Sequence, residues 1–321
     1  MIPPKNELVI CFAHVAYRLD ERFAALGTGI RSFAVRDPET LAARIGEADV
    51  LVISGLWNNV LLDRAPRLRF IQAIGAGTDQ FPRGELERRE IRLASARGVN
   101  ARAVAEHGMA LILALARRLL EARDNQHRRH WRQMIGDLAQ REDELGGKTL
   151  LVVGLGDIGG RLARLAKAFD MRVIGLRRDP PRGGDADEVQ PMSALGSVLP
   201  EADFVALTCP LTPDTEKLID AAALARMKPP AYLVNLARGR VVDEPALIET
   251  LAAHRIAGAA LDVTVEEPLP PNSPLWDMQH VLVTPHTAGE TRRYEDNVIE
   301  ILRDNLDRLW RGESQLRNQV V

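Results

Sequence analysis

Cysteine is scarce in this chain, with two residues in 321, Cys11 and Cys209. Each stands in an apolar, strand-like run, which suits a small buried hydrophobe and excludes a disulfide framework or a cysteine-built zinc site. A reducing cytosol is the compartment expected from such usage. Net charge is nearly absent too, formally −2, so the overall balance selects neither nucleic acid nor an anionic membrane as partner. Long apolar runs are also missing. No segment approaches the roughly 18 apolar residues of a membrane span, and the opening MIPPKNELVICFAHV carries no cleavable signal pattern. No repeat recurs at the solenoid periods of about 20 to 50 residues. One stretch, RRDPPRGGDAD, is of low complexity and reads as a surface loop. What these absences leave is a cytoplasmic protein that acts on small molecules.

What is present is a regular alternation. A chain of 321 residues exceeds the usual size of a single core, so two domains are expected. Short strand-like runs (LVICF, SFAV, VLVIS, RFIQAIG, IRLAS) alternate with helical patterns at Asp20 to Leu26 and Pro38 to Gly46, which predicts α/β structure with a parallel sheet. From Ala101 to about Arg132 the pattern predicts one long helix with an Ala- and Leu-rich face, able to bridge two domains. A second series follows: TLLVVGLG, a helix over Ile158 to Phe169, then RVIGLR, FVALTC, AYLVNLA, AGAALDV and VLVTPH. A last helix runs from Tyr294 to about Arg311.

LLVVGLGDIGGRLARLAKAF places Gly154, Gly156 and Gly159 at dinucleotide-binding spacing, after an apolar strand and at the start of an amphipathic helix. The bland alternative is a glycine-rich turn without ligand, but the flanking strand and helix favour a pyrophosphate site built from Gly154, Gly156, Asp157, Ile158 and Gly159. Gly154 permits the turn, Gly156 the close approach of the anion, and Gly159 the packing of helix on strand.

Three further stretches, VNLARGRVVDEPAL, LDVTVEEPLPPNSPLW and VLVTPHTAG, carry too many special residues for plain structure. With the glycine turn, IGAGTD and VAEHGMALILAL, they resemble the signature set of the D-isomer-specific 2-hydroxyacid dehydrogenase family over nearly the whole chain, and among its members the glyoxylate and hydroxypyruvate reductases. The resemblance implies two Rossmann-like, doubly wound parallel-sheet domains separated by a cleft. Residues 1–100 plus 288–321 would form a flavodoxin-like substrate domain, and residues 101–287 the dinucleotide-binding domain. It places the catalytic arginine, glutamate and histidine on Arg238, Glu267 and His286. Reducing a 2-oxo acid requires a cation on the carboxylate and an acid for the carbonyl oxygen. A guanidinium grips a carboxylate through two parallel hydrogen bonds. A carboxylate beside an imidazole stabilises the imidazolium, so Glu267 is expected to keep His286 charged near neutrality. Each of the three has a structural alternative when taken singly: a satisfied histidine, a strand cap, a solvated turn.

By the same resemblance Ala76 and Gly77 present backbone N–H groups to the substrate carboxylate. Asp262 holds the nicotinamide carboxamide, and Val104, Pro210, Thr215, Ala237 and Gly289 line the cofactor. Thr208 departs from the pattern, since many members have histidine there. Trp57 follows a predicted strand and is expected either to wall the substrate pocket or to pack in the core. Trp131 matches a tryptophan of an arm that packs against a second subunit, which implies a homodimer. His127 and His130 stand three apart on a predicted helix but lack a third metal ligand. The chain ends soon after its last helix, which leaves no room for the regulatory domain of many phosphoglycerate dehydrogenases.

Coenzyme preference turns on Arg177 and Arg178. The first lies 23 residues beyond Gly154, where NAD-preferring relatives place an acid on the adenosine ribose. Two cations there favour the 2′-phosphate of NADP(H), with NAD(H) the alternative and a solvated ion-pair loop the bland reading. The rival function is a nicotinamide-sensing binding protein like the transcriptional corepressors that share this fold.

Overall fold

VICFA at Val9–Ala13 (β1) is buried at every position. In the computed structural model, which describes residues 2–321, it pairs in parallel with β2 (Arg31–Val35) and β3 (Val50–Ile53). With β4 (Phe70–Ala73) and β5 (Arg92–Ala94) these make a five-stranded sheet in the order β2-β1-β3-β4-β5, a flavodoxin-like order. Successive side chains of a strand face opposite ways, and both ways lead into core. Ile10 and Phe12 join Leu19 and Phe23 of α1 (Leu19–Ala24) and Leu302 of the C-terminal helix. Cys11 and Ala13 join Leu41 of α2 (Pro38–Arg44) and Leu86 of α3 (Arg83–Arg88). Helix α2 starts where it does because Asp37 accepts the Thr40 N–H at 2.7 Å and Pro38 occupies the first turn. This unit comprises the chain up to Asn100 and Thr291–Val321.

The second unit, Ala101–Glu290, begins with α4 (Ala101–Ala116) and α5 (Leu119–His127). There follow β6 (Thr149–Val153), α6 (Asp157–Lys167), β7 (Arg172–Arg177), β8 (Glu188–Pro191), α7 (Leu195–Val198), β9 (Phe204–Leu207), α8 (Ala221–Arg226), β10 (Tyr232–Asn235), α9 (Glu244–Ala252), β11 (Gly258–Leu261) and β12 (Val281–Val283). All seven strands pair in parallel, in the order β12-β11-β10-β9-β6-β7-β8. The direction of progression reverses between β6 and β9, so the crevice outside their carboxyl ends is the topological switch point where such sheets bind ligands. The last element, α10 (Tyr294–Trp310), belongs to the first unit.

Two expectations are corrected. The single helix from Ala101 to about Arg132 is two: Arg118 adopts φ 49° between α4 and α5, and α5 stops at His127. Helix α4 buries Val104, Leu111, Ile112 and Leu115, whereas α5 buries nothing. Once no core face holds the helix straight, propensity alone does not sustain it. Trp131, 89% exposed, therefore lies in irregular chain and not on a helix. Strand β8 is the second correction, because EVQP has no apolar run to announce it. Cys11 and Cys209 are free and buried, and burial pushes their thiols up to about 12 and about 11. Among the described residues no helix is long and apolar enough to cross a membrane.

Candidate active site

Strand β6 runs directly into Gly154, whose φ is +103° and whose hypothetical Cβ would lie 2.5 Å from the Cys209 nitrogen. Only glycine accepts both constraints. A Cβ on Gly159 would approach the Gly154 oxygen to 2.4 Å, so α6 crosses the turn in direct contact. Gly156 differs, since nothing lies within 4 Å of where its Cβ would point. It is the N-cap of α6, with Asp157 and Ile158 in the first turn. Two glycines that are packed tight and one that faces open space before free helix N–H groups fit a dinucleotide pyrophosphate. Thr208, where the resemblance leads one to expect histidine, donates its hydroxyl to the Gly154 oxygen at 2.8 Å and so fastens the turn. Nearby, the Thr215 hydroxyl donates to the Pro210 oxygen at 2.7 Å and accepts the Thr212 N–H at 2.8 Å. Val104 and Ala288, the neighbour of Gly289, are buried in the core beside α6.

At the end of β7 the two arginines part. Arg177 turns onto its own loop: Nη1 donates to the Gly183 oxygen, while Nε is buried with no hydrogen-bond partner among the described residues. Arg178 is exposed. No acid stands at either position.

Strands β10, β11 and β12 end level, with Asn235 opposite Leu261 and Leu261 opposite Val283. The candidates follow in turn: Arg238 after β10, Asp262 and Glu267 after β11, and His286 after β12. The Asn235 side chain accepts the Ala237 N–H at 3.0 Å and donates to the Arg238 oxygen at 3.1 Å, which shapes the turn that carries the guanidinium. His286 Nδ1 lies 2.8 Å from Glu267 Oε2. An ionised carboxylate can only accept, so Nδ1 carries the proton and Nε2 is the nitrogen left for exchange. His286 sits at φ 56°, a left-handed conformation that costs on the order of 1–3 kcal/mol for such a residue. Asp262 stabilises it. The Asp262 main-chain oxygen accepts the His286 N–H at 2.8 Å, and its buried carboxylate accepts from the Thr284 hydroxyl at 2.6 Å, Thr287 N at 3.0 Å and Ala288 N at 3.2 Å. Because that hydroxyl proton is committed to Asp262, Thr284 must accept from His107, whose Nε2 lies 3.1 Å away. Thr284 and Asn235 escaped the sequence reading. Their only signal was a polar residue at the end of an apolar strand.

In the other unit, Ala76 and Gly77 lie on the loop after β4. The Ile74 oxygen accepts from the Tyr294 hydroxyl at 2.5 Å and the Gly75 oxygen from Ala96 N at 2.9 Å, while Ala76 is exposed. Trp57 is half-buried against Phe81, ring centroids 4.8 Å apart, with its indole N–H on Asn59 at 2.9 Å.

A seven-stranded parallel sheet with a glycine turn at its switch point and charged residues at adjacent strand ends defines a nucleotide-dependent oxidoreductase. The profile of the D-isomer specific 2-hydroxyacid dehydrogenase NAD binding domain matches residues 109–288. The chain is 34% identical to a glyoxylate reductase of Korarchaeum cryptofilum over 88% of its length and 86% of that protein's. It is 36% identical to a glyoxylate/hydroxypyruvate reductase B of Yersinia enterocolitica over 84% and 82%. An NADPH-dependent glyoxylate/hydroxypyruvate reductase from Sinorhizobium meliloti, solved with NADP and malonate, superposes with a TM-score of 0.83 at 25% identity, covering 98% of this chain and 97% of that one. The chain belongs to the D-isomer specific 2-hydroxyacid dehydrogenase family. It is an NAD(P)-dependent oxidoreductase of that family, and its relatives favour the enzyme over the nicotinamide-sensing alternative.

Proposed function

We propose that this enzyme is an NADPH-preferring reductase of small 2-oxo acids of the glyoxylate or hydroxypyruvate kind, acting in the cytoplasm. The observation that carries the reading is the 2.8 Å His286–Glu267 pair on the strand ends next to the one that bears Arg238. Arg238 grips the substrate carboxylate by a two-pronged hydrogen bond, with the Ala76 and Gly77 amides as further donors. His286 delivers a proton from Nε2 to the carbonyl oxygen, and Glu267 holds the ring in the tautomer and orientation that this requires. A bound dihydronicotinamide would supply the hydride. Gly154, Gly156, Asp157, Ile158 and Gly159 hold the pyrophosphate, with Val104, Pro210, Thr215, Ala237, Asp262 and Gly289 along the rest of the cofactor.

The coenzyme preference is supported by the absence of an acid and the presence of Arg177 and Arg178 at the end of β7, together with the NADP complex of the S. meliloti relative. A homodimer is supported by the exposed Trp131, Met134 and Leu138, and a solution mass of one chain would overturn it. Initial rates for glyoxylate, hydroxypyruvate, pyruvate and phenylpyruvate with NADPH and with NADH test the whole reading. Turnover of none removes the substrate class, and higher kcat/KM with NADH removes the coenzyme preference.

A further inference from the structure

Glu267 is exposed and belongs to no helix or strand, yet its carboxylate must stay within hydrogen-bond reach of His286. Part of the restraint is local: Glu267 Oε1 accepts the Thr264 N–H at 3.2 Å, and the Thr264 hydroxyl donates to the Glu266 oxygen at 2.7 Å. That makes the turn a unit. Beyond the bond to His286, two contacts hold its start. Gly239, directly after Arg238, has no room for a side chain, because a Cβ there would fall 2.1 Å from the Thr264 carbonyl and 2.4 Å from Val265 N. The turn is thus pressed flat on the segment that follows Arg238. From the first turn of α9, Glu244 Oε2 accepts the Val265 N–H at 2.9 Å.

An acidic residue in the first turn of a helix has an ordinary explanation in the helix dipole. Here it does something further, since one carboxylate oxygen is spent on a main-chain donor 21 residues away, two positions before Glu267. Without that bond, Gly239 would limit how near the start of the turn can come, and the restraints left against its lifting would be the Glu267–His286 bond itself and the packing of Leu269 beyond it. We infer that Glu244 is a positioning residue. By fastening Val265 to α9 it fixes the Glu267 carboxylate against His286, with no contact of its own to His286 or Arg238 among the described hydrogen bonds.

The inference rests on the reading of His286 as the proton donor held by Glu267. Glu244→Ala should lower kcat for 2-oxo acid reduction by roughly tenfold, because small misplacements of a reacting group are costly, while KM for NADPH stays within about twofold. Glu244→Gln keeps an acceptor oxygen and should restore most of kcat. In a Glu267→Gln background, Glu244→Ala should cost little more, since the group being positioned is already gone. The positioning role is overturned by unchanged kcat in Glu244→Ala, by equal losses in the Gln and Ala variants, or by losses that multiply with Glu267→Gln. Should Glu244→Ala not fold, Glu244→Ser carries the same test. Wild-type enzyme and His286→Ala run alongside: an inactive wild type, or a fully active His286→Ala, overturns the underlying reading instead.

Discussion

Replacing Gly159 by alanine tests the dinucleotide site without reference to turnover. The new Cβ would sit 2.4 Å from the Gly154 oxygen, 2.8 Å from Thr208 Oγ1 and 2.9 Å from Val152 Cγ1, against ordinary contact beginning at 3.4 Å. About 1 Å must therefore open between α6 and the turn, a displacement of the kind that overpacked cores resist. The Gly154 carbonyl cannot yield alone, because Leu155 N, in the same planar peptide group, is bonded to the Leu176 oxygen at 2.9 Å, and Gly156 N donates to the carbonyl itself at 2.8 Å. Thr208 yields only by giving up its hydrogen bond to that carbonyl. Overpacking costs about 1–3 kcal/mol and the lost hydrogen bond about 1 more, which for a domain of this size lowers Tm by roughly 4–16 °C. Moving the helix N-terminus should also raise the Kd for NADPH at least tenfold in a fluorescence titration. Gly156→Ala is the control. Its backbone is at φ −99° and its surroundings are open, so the free protein should lose only what an alanine N-cap costs, about 1 kcal/mol or roughly 2–4 °C in Tm, while NADPH affinity falls, because the methyl occupies the space assigned to the pyrophosphate. Wild-type Tm and Kd in Gly159→Ala, or wild-type Kd in Gly156→Ala, would refute the assignment.

His286→Ala should lower kcat by about a hundredfold or more with NADPH binding intact, the usual contribution of a general acid; near-normal kcat would remove it from the mechanism. Arg178→Ala should reduce kcat/KM for NADPH roughly tenfold or more and leave NADH almost untouched, whereas Arg177→Ala should in addition lower Tm, because it releases the Gly183 carbonyl. Equal losses with both coenzymes would sink the phosphate role. His280 titrates below the ordinary histidine range, mainly through burial and also through the neighbouring charge of His254, although the Leu251 carbonyl opposes the shift. The unfolded chain then takes up a proton that the folded one refuses, so this contribution to stability is whole above about pH 6.5 and is lost as pH falls. Tm followed from pH 7.5 down to about 5 should fall less steeply in His280→Gln than in wild type, and parallel curves would contradict this.

Periodicity made the α/β class and the order of most elements legible, because nearly every strand is buried on both faces and reads as a short apolar run. It failed where burial stops. Helix α5 continues the helical pattern of α4 without its apolar face or its core, and β8 is a strand only by virtue of its pairing with β7. At the candidate site the pattern identified which residues stand at strand ends, since glycines and charges interrupt apolar runs there. It could not show what holds them. The positive φ of His286, the Gly239 contact and the Glu244–Val265 bond join positions that only the fold brings together. RRDPPRGGDAD reads as a loop and is one, yet Gly184 within it lies so close over Leu155 that a Cβ would meet Cδ2 at 2.2 Å. The loop that presents Arg178 is thus seated on the residue between the first two glycines of the turn.

Asp262, the first residue after β11, carries a buried carboxylate. Its Oδ1 accepts from the Thr284 hydroxyl, Thr287 N and Ala288 N, and its Oδ2 only from Ala288 N, at 3.2 Å, among the described hydrogen bonds. A carboxylate this buried persists because main-chain and hydroxyl donors replace the water it has lost. Those same donors belong to the loop that bends His286 into its left-handed conformation. Oδ1 is therefore committed to shaping the loop, whereas Oδ2 keeps acceptor capacity, which is what an amide N–H of a nicotinamide carboxamide would require. A carboxamide contact of the kind proposed for Asp262 would fall on Oδ2 and so would not compete with the loop bonds held on Oδ1. An asparagine there would retain one oxygen for two tasks, so the loop and the cofactor contact could not both be kept.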